Sequence, residues 1–393
     1  MNRSDGDKVI AGFIPLLDSA LLVAAAERGF AAAEGVDLRL VRETSWANIR
    51  DRIAIGHFDV AHMLAPMPIA ASLNITSLAV PMLAPMTLGL GGNAITVSTG
   101  LWRAMEQEGA AANGDPGSTG QGLARAIAKR PVDGTRLRFG VVHPFSGHAY
   151  ELRYWLAASG IDPDRDVEIT VLPPPLMADA LKADRLDGYC VGEPWNTAAA
   201  LAGTGRIVTT KAAIWPGSPE KVLGVTRKWA DANGETLAAL IRALAKAAIW
   251  CGDAANHADL AVLLSGPDYL DCPAEWCRPA LGGLIAVSRD VALAVPDFLS
   301  FTAPGALQPS TDHSLWFYSQ MLRWGQVEHD PEREAIARET YRPDLFAAAM
   351  PKAGDPGAGA RRDRAGPPQR FYDGVEFTPG DVAGYVAGFA IRA

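Results

Sequence analysis

The stretch Val36-Asp37-Leu38-Arg39-Leu40-Val41-Arg42-Glu43-Thr44-Ser45-Trp46-Ala47-Asn48-Ile49-Arg50-Asp51 decides the fold. Its first half alternates apolar and polar residues as a strand does. Thr44 or Ser45 then stands where a hydroxyl accepts hydrogen bonds from the free N–H groups of a helix's first turn. Ile49 and Ile53 supply the buried stripe of that helix at helical spacing, which leaves Trp46 at its start. An indole at a strand's end, beside free backbone donors, suits a small, flat anion; it serves equally as a core plug. From this stretch alone both readings stand.

Working outward, the same grammar occurs twice. Before the stretch lie a strand from Lys8 to Ile14, Pro15, a helix from Ser19 to Arg28 and a connection at Gly35; after it come Gly56 and the strand Asp59-Val60-Ala61. Later, a strand from Leu137 to Val142 ends at Pro144, a helix from Ala149 to Ala158 ends at Gly160, and a strand runs from Val167 to Leu172. A helix from Leu176 to Ala183 then leads to Asp187-Gly188-Tyr189-Cys190-Val191. Gly56-His57-Phe58-Asp59-Val60-Ala61 answers Asp184-Arg185-Leu186-Asp187-Gly188-Tyr189. Alternating strands and helices predict parallel sheets with right-handed crossovers. Two such units predict two doubly wound lobes, with a ligand cleft beyond the carboxyl ends of the strands.

The length of 393 residues supports two lobes rather than one core. The expected division is 1–97 as the first part of lobe I, 98–210 as lobe II and 211–350 as a helical return to lobe I. A linker at 351–370 and a tail at 371–393 packed on the body complete it. Asn93 to Ser98 and Lys221 to Val225 read as two extended crossings, and residues 109–120 as a mobile surface loop.

The net charge of −8 argues against direct nucleic-acid binding, which needs clustered Lys and Arg. It also requires any anion site to be a local positive feature. Four scattered cysteines predict buried thiols and no metal. The N-terminus carries charges of both signs and no 18-residue apolar span occurs, so the expectation is a cytoplasmic protein without a membrane segment.

Enzyme signatures are scarce. Gly89-Leu90-Gly91-Gly92-Asn93-Ala94 fits a loose dinucleotide pattern but leads into a strand, so a pyrophosphate would have no helix N-terminus to sit on. His57 and His62 are five apart, as are His143 and His148, which is not the spacing of a helical metal site. No cofactor is implied. What gathers at the cleft edge is Trp46, His148 at a helix start, Gly192 at a strand end and Lys221 on the returning strand; Glu193 reads as a helix-start residue.

Six separated motifs then carry a resemblance. Ser45 to Asp51, Ala65-Pro66-Met67-Pro68, Asn93-Ala94-Ile95-Thr96, His148 with Leu152-Arg153-Tyr154-Trp155-Leu156, Val191-Gly192-Glu193-Pro194-Trp195 and Pro219-Glu220-Lys221-Val222-Leu223-Gly224 resemble the nitrate/bicarbonate-binding proteins of ABC importers. The likeness runs from Val9 to Phe371-Tyr372-Asp373-Gly374. It implies a two-lobe, periplasmic-binding-protein-like (type II) α/β fold. It places Trp46 against an anion, with Asn93 (where relatives have Gln), His148, Val191, Gly192 and Lys221 as further contacts. It also implies nitrate or nitrite as ligand, because bicarbonate binders carry a carboxylate at the position of Lys221. Within this family the chain resembles the cytoplasmic nitrate/nitrite sensors (NasS type). In those, the bound anion releases an RNA-binding antiterminator of the ANTAR type (NasT-like), regulating nitrate assimilation genes. The competing expectations are an importer's binding protein whose signal sequence is missing from this chain, and an enzyme of small-metabolite synthesis on the same fold.

Overall fold

The computed structural model describes residues 6–131, 134–350 and 370–393; the expected linker at 351–370 lies, up to residue 369, outside the described residues. In chain order the strands that build the lobes and their crossing are β1 (Asp7–Phe13), β2 (Val36–Arg42), β3 (Val60–Leu64), β4 (Met82–Thr87), β5 (Leu90–Gly91) and β6 (Asn93–Ser98). They continue as β7 (Leu137–Val141), β8 (Val167–Val171), β9 (Gly188–Gly192), β10 (Gly205–Thr210) and β11 (Lys221–Thr226). They form two five-stranded sheets, ordered β2-β1-β3-β11-β4 and β10-β6-β9-β7-β8.

Each sheet has a parallel core of three strands, β2-β1-β3 and β8-β7-β9. The repeat seen in the sequence is realised down to single bonds. The carboxylate of Asp59 accepts the Ile10 N–H at 2.8 Å and that of Asp187 accepts the Arg138 N–H at 2.7 Å. Phe58 packs where a side chain on Gly12 would stand, and Leu186 lies 2.8 Å from the Cβ position of Gly140. A glycine in each first strand lets the residue just ahead of the third strand pack directly on the backbone.

The sheets are mixed rather than wholly parallel, because the strand next to each core enters from the other lobe. β11 runs antiparallel to β3, and β6 antiparallel to β9. β6 therefore belongs to the second sheet, and the first crossing lies ahead of Asn93. Gly89, Gly91 and Gly92 there have φ of 107°, 78° and 92°, the left-handed region open to glycine. The two crossings hold each other: the Gly91 N–H donates to the Ser218 carbonyl at 3.0 Å and the Leu88 N–H to that of Lys221 at 2.9 Å.

Three further expectations change. Residues 116–120 are not loop. They open the helix Pro116–Ala128, where Pro116 starts the first turn and the Asp115 carboxylate accepts the Ser118 N–H at 2.7 Å. The return region is not purely helical, since β12 (Leu284–Ser288) and β13 (Val291–Ala294) form a hairpin. That hairpin packs on β10 and on the helix Trp195–Ala202 of lobe II, while the helix Ala274–Gly282 ahead of it lies between that helix and the helix His257–Ser265 of lobe I. The chain then returns to lobe I, where the Ala306 carbonyl takes the Gly89 N–H at 3.0 Å.

The segment 370–393 packs back on the body. Phe371 stacks on Tyr154, Trp215 and Trp316 with ring centroids 4.6, 5.4 and 5.2 Å apart. The Ala393 N–H donates to the Arg323 carbonyl at 2.9 Å.

Candidate functional site

The two lobes meet at the carboxyl ends of their parallel strands. From lobe I, the turn Leu17–Ser19 after β1 presents Asp18, β3 presents His62, and the helix Trp46–Ala54 presents Trp46. From lobe II, the helix Gly147–Ala158 presents His148 and Glu151, β6 presents Asn93, and β9 ends on Gly192. The helices of Trp46 and His148 begin alike: Ser45 Oγ accepts the Asn48 N–H at 3.3 Å and Ser146 Oγ the Ala149 N–H at 3.0 Å. Each such cap stabilises a helix start by about 1 kcal/mol, and here it fixes the first turn that carries a site residue.

Glu220 and Lys221 form the seam. Their charged ends lie 3.5 Å apart, Lys221 on residues of lobe I and Glu220 on residues of lobe II. Lys221 Nζ bonds Asp18 Oδ2 at 2.7 Å and lies 5.6 Å over the Trp46 ring. Glu220 Oε1 is 3.0 Å from His148 Nδ1. Lys211, in the turn Lys211–Ile214 after β10, is ion-paired with Glu151 and lies 3.5 Å from Glu220 Oε2. Gly147 must be glycine, since a Cβ there would overlap Glu220 Oε2.

The charges in this wall are buried and interdependent. Burial alone would raise Asp18, but Lys221 and His62 outweigh it and hold the carboxyl at about 2. Burial likewise opposes ionisation of Glu220, yet His148, Lys221 and Lys211 keep it below the usual carboxylate range. Glu151 goes the other way: burial, with Glu220 nearby, pushes it up to about 7 against the attraction of Lys211. Burial lowers both His62 and His148. The Nδ1 of His62 accepts the Ile14 N–H at 3.5 Å, and its Nε2 lies 3.0 Å from Asp18 Oδ1 without a hydrogen bond of good geometry.

Among the described residues, several buried polar atoms in the wall have no hydrogen-bond partner: Asp18 Oδ1, Trp46 Nε1, His62 Nε2, Asn93 Oδ1, both ring nitrogens of His148 and both carboxylate oxygens of Glu220. Unmade hydrogen bonds at buried groups cost roughly 1–3 kcal/mol each, so this seam is the candidate place for a polar ligand. Gly192 completes it. A Cβ there would lie 3.5 Å from Asn93 Oδ1 and 3.6 Å from Asp18 Oδ2.

Of the residues expected from the sequence, Trp46, Asn93, His148, Gly192 and Lys221 are brought together. Val191, expected as a backbone contact, precedes Gly192 at the end of β9; its side chain is in the core and its carbonyl accepts the Asn196 amide at 2.8 Å. Glu193 is a helix-start residue, as read, its Oε2 accepting the Thr197 N–H at 3.0 Å. Asp18, His62, Glu151, Lys211 and Glu220 are the additions. Asp18, His62 and Lys211 are each a lone ionisable side chain amid apolar or uncharged neighbours, as in Val60-Ala61-His62-Met63-Leu64. That signal was present in the sequence.

A model of one protein family, described as NMT1-like, matches residues 4–265. This chain belongs to the NMT1-like family. Within the family its similarity lies with the NrtA/CmpA-type proteins. It is 32% identical, over 98% of its own length and 86% of the relative's, to the nitrate/nitrite binding protein NrtA of Synechococcus elongatus. It is also 35% identical over 97% of its length to the nitrate import ATP-binding protein NrtC of Synechocystis, but spans 55% of that longer protein. Among solved structures, the periplasmic nitrate-binding protein NrtA from Synechocystis superposes with a TM-score of 0.89 at 26% identity, covering 98% of this chain and 99% of that one. A ligand-binding component of an ABC-type import system from Staphylococcus aureus shares the fold at TM-score 0.66 and 15% identity, over 88% of this chain and 99% of that one. The architecture is thus the two-lobe, periplasmic-binding-protein-like α/β fold of NrtA, with mixed sheets.

Proposed function

We propose that this chain is an anion-binding protein that takes nitrate or nitrite between its lobes, and that it is not an enzyme. The observation that carries this reading is the set of buried, unpartnered polar atoms on Trp46, Asn93 and His148 around Lys221. An indole face and N–H, an ammonium and an imidazole suit a flat anion that accepts hydrogen bonds but cannot donate them. The relatives named above are binding and transport components, which supports binding rather than turnover. Isothermal titration of the purified chain with nitrate, nitrite and bicarbonate tests it; absence of heat with both nitrogen oxyanions refutes it.

Bicarbonate is a second reading favoured by one specific observation. Glu220, next to Lys221, has no hydrogen bond of good geometry on either carboxylate oxygen, and bicarbonate carries an O–H that could donate to it. The same titration ranks the ligands.

For the use made of binding, we propose two alternatives. As a cytoplasmic sensor, the empty protein would hold an ANTAR-type antiterminator and release it when the anion closes the lobes. As an importer's binding protein, it would deliver the anion to a membrane partner, a role that fits the named relatives at least as well. In either case the anion acts only through a difference in affinity for the open and closed states. Affinity capture from cell extract with and without nitrate separates them. Nitrate-sensitive recovery of an RNA-binding protein supports the sensor, and recovery of transport subunits the importer.

A further inference from the structure

We propose that the anion enters this pocket together with one proton, held by the His148–Glu220 pair; the inference rests on the nitrate/nitrite reading above. His148 Nδ1 and Glu220 Oε1 are 3.0 Å apart. A ring lone pair and a carboxylate would repel at that separation, so the neutral ring carries its hydrogen on Nδ1, on the carboxylate's side, although the two make no hydrogen bond of good geometry. In a neutral imidazole that hydrogen is the ring's sole N–H, and Nε2 is then an acceptor. Nitrate and nitrite offer only acceptors. Nε2, buried and without a partner, can donate to them only when the pair gains a second hydrogen. Either the ring becomes imidazolium beside the carboxylate, or Glu220 becomes the acid and donates to Nδ1. Both forms take one proton from water or a buffer acid and break no other bond.

The charges facing the pair lead to the same result. Lys211 and Lys221 bring two positive charges against the carboxylates of Asp18 and Glu220, and Glu151, pushed up to about 7, adds a partial negative charge at neutral pH. A monoanion alone would add to a buried excess of negative charge, whereas an anion with a proton adds none. Cys190 on β9 and Tyr341 also face these carboxylates; both are buried and held neutral, well above their ordinary ranges. His62 is held low by burial and accepts the Ile14 N–H on Nδ1, with Nε2 3.0 Å from Asp18. Burial holds His148 low, so the ring is neutral in the empty pocket at pH 7 and the proton arrives with the ligand. The uptake makes binding tighter as pH falls.

The test is calorimetric titration of nitrate into the full chain in phosphate and in Tris at one pH, repeated from pH 6.5 to 8. The heat difference between buffers counts the protons. About one proton per anion, with the dissociation constant rising about tenfold per pH unit, is expected. Glu220→Gln supplies the discriminating arm, because an amide N–H can donate to Nδ1 and leave Nε2–H free without an added proton. It should bind with no buffer dependence and a flat pH profile, while Glu151→Gln should keep the coupling. Heat that is equal in both buffers for the wild type overturns the proposal while leaving anion binding intact. Coupling lost in Glu151→Gln but kept in Glu220→Gln also overturns it, by moving the proton to Glu151. No heat at all refutes the nitrate/nitrite reading and this inference with it. The wild-type buffer comparison decides the matter even where a variant fails to fold.

Discussion

Lys221→Met tests the electrostatic reading of the seam most directly. The ammonium bonds Asp18 at 2.7 Å and lies 3.5 Å from Glu220, with every partner buried. Methionine fills much the same volume without the charge, so the loss is electrostatic rather than a cavity. Removing one member of a buried ion pair costs about 3–5 kcal/mol. A floor comes from Asp18 itself: its displacement from 3.8 to about 2 corresponds to roughly 2 kcal/mol at 1.36 kcal/mol per unit. The pH dependence has a definite sign. In the wild type the depressed carboxyl contributes stability above its unfolded value, and that contribution fades only as pH falls toward 2. In the variant burial is no longer outweighed, so Asp18 rises above its unfolded value and penalises the fold at neutral pH. That penalty is relieved as the group takes a proton. Urea unfolding at pH 7.5 and pH 5 should therefore show a large gap between wild type and variant at the higher pH and a smaller one at the lower. A gap under 1 kcal/mol at pH 7.5, or one that does not narrow in acid, would refute this account of Lys221.

Other outcomes follow from single contacts. Trp46→Phe keeps an aromatic plane but removes an Nε1–H that has no partner. It should weaken nitrate about tenfold, the worth of one hydrogen bond, as read by calorimetry, and lower the melting temperature of the empty protein through the cavity left in the core. Gly147→Ala places a methyl on Glu220 Oε2, and should cost about 1–3 kcal/mol in denaturant unfolding and lower anion affinity with it. Of the four thiols, Cys272 is partly exposed and Cys190, Cys251 and Cys277 are buried. A thiol reagent at neutral pH should modify Cys272 first and reach Cys190 and Cys251 only on unfolding, as mass mapping of the labelled peptides would show.

The repeat was legible because its signals are local. Gly35 and Gly160 have φ of 78° and 81° just after their helices, and Asp59 and Asp187 hold equivalent backbone amides. The sheet to which Asn93–Ser98 belongs was not legible, because a strand's partners are set by pairing across the chain and not by its own residues. The hairpin Leu284–Ser288 with Val291–Ala294 escaped for the same reason; its burial comes from lobe II. Residues 116–120, rich in Gly, Ser and Thr, looked like loop and are helical because Asp115 and Pro116 start the turn. At the site Trp46, His148 and Lys221 were legible, while the acidic residues and the basic His62 and Lys211 were not. Glu220 stood in the quoted motif beside Lys221 without a role, although the two together serve both lobes.

The excursion of residues 284–294 into lobe II has a mechanical consequence. Two rigid bodies tied by two cords can swing and also twist about the line between them. Here the polypeptide passes from lobe to lobe ahead of Asn93, again between Lys211 and Lys221, and then out and back around the hairpin. Each added tether removes rotational freedom, so the lobes have fewer ways to move against each other than two cords alone would leave.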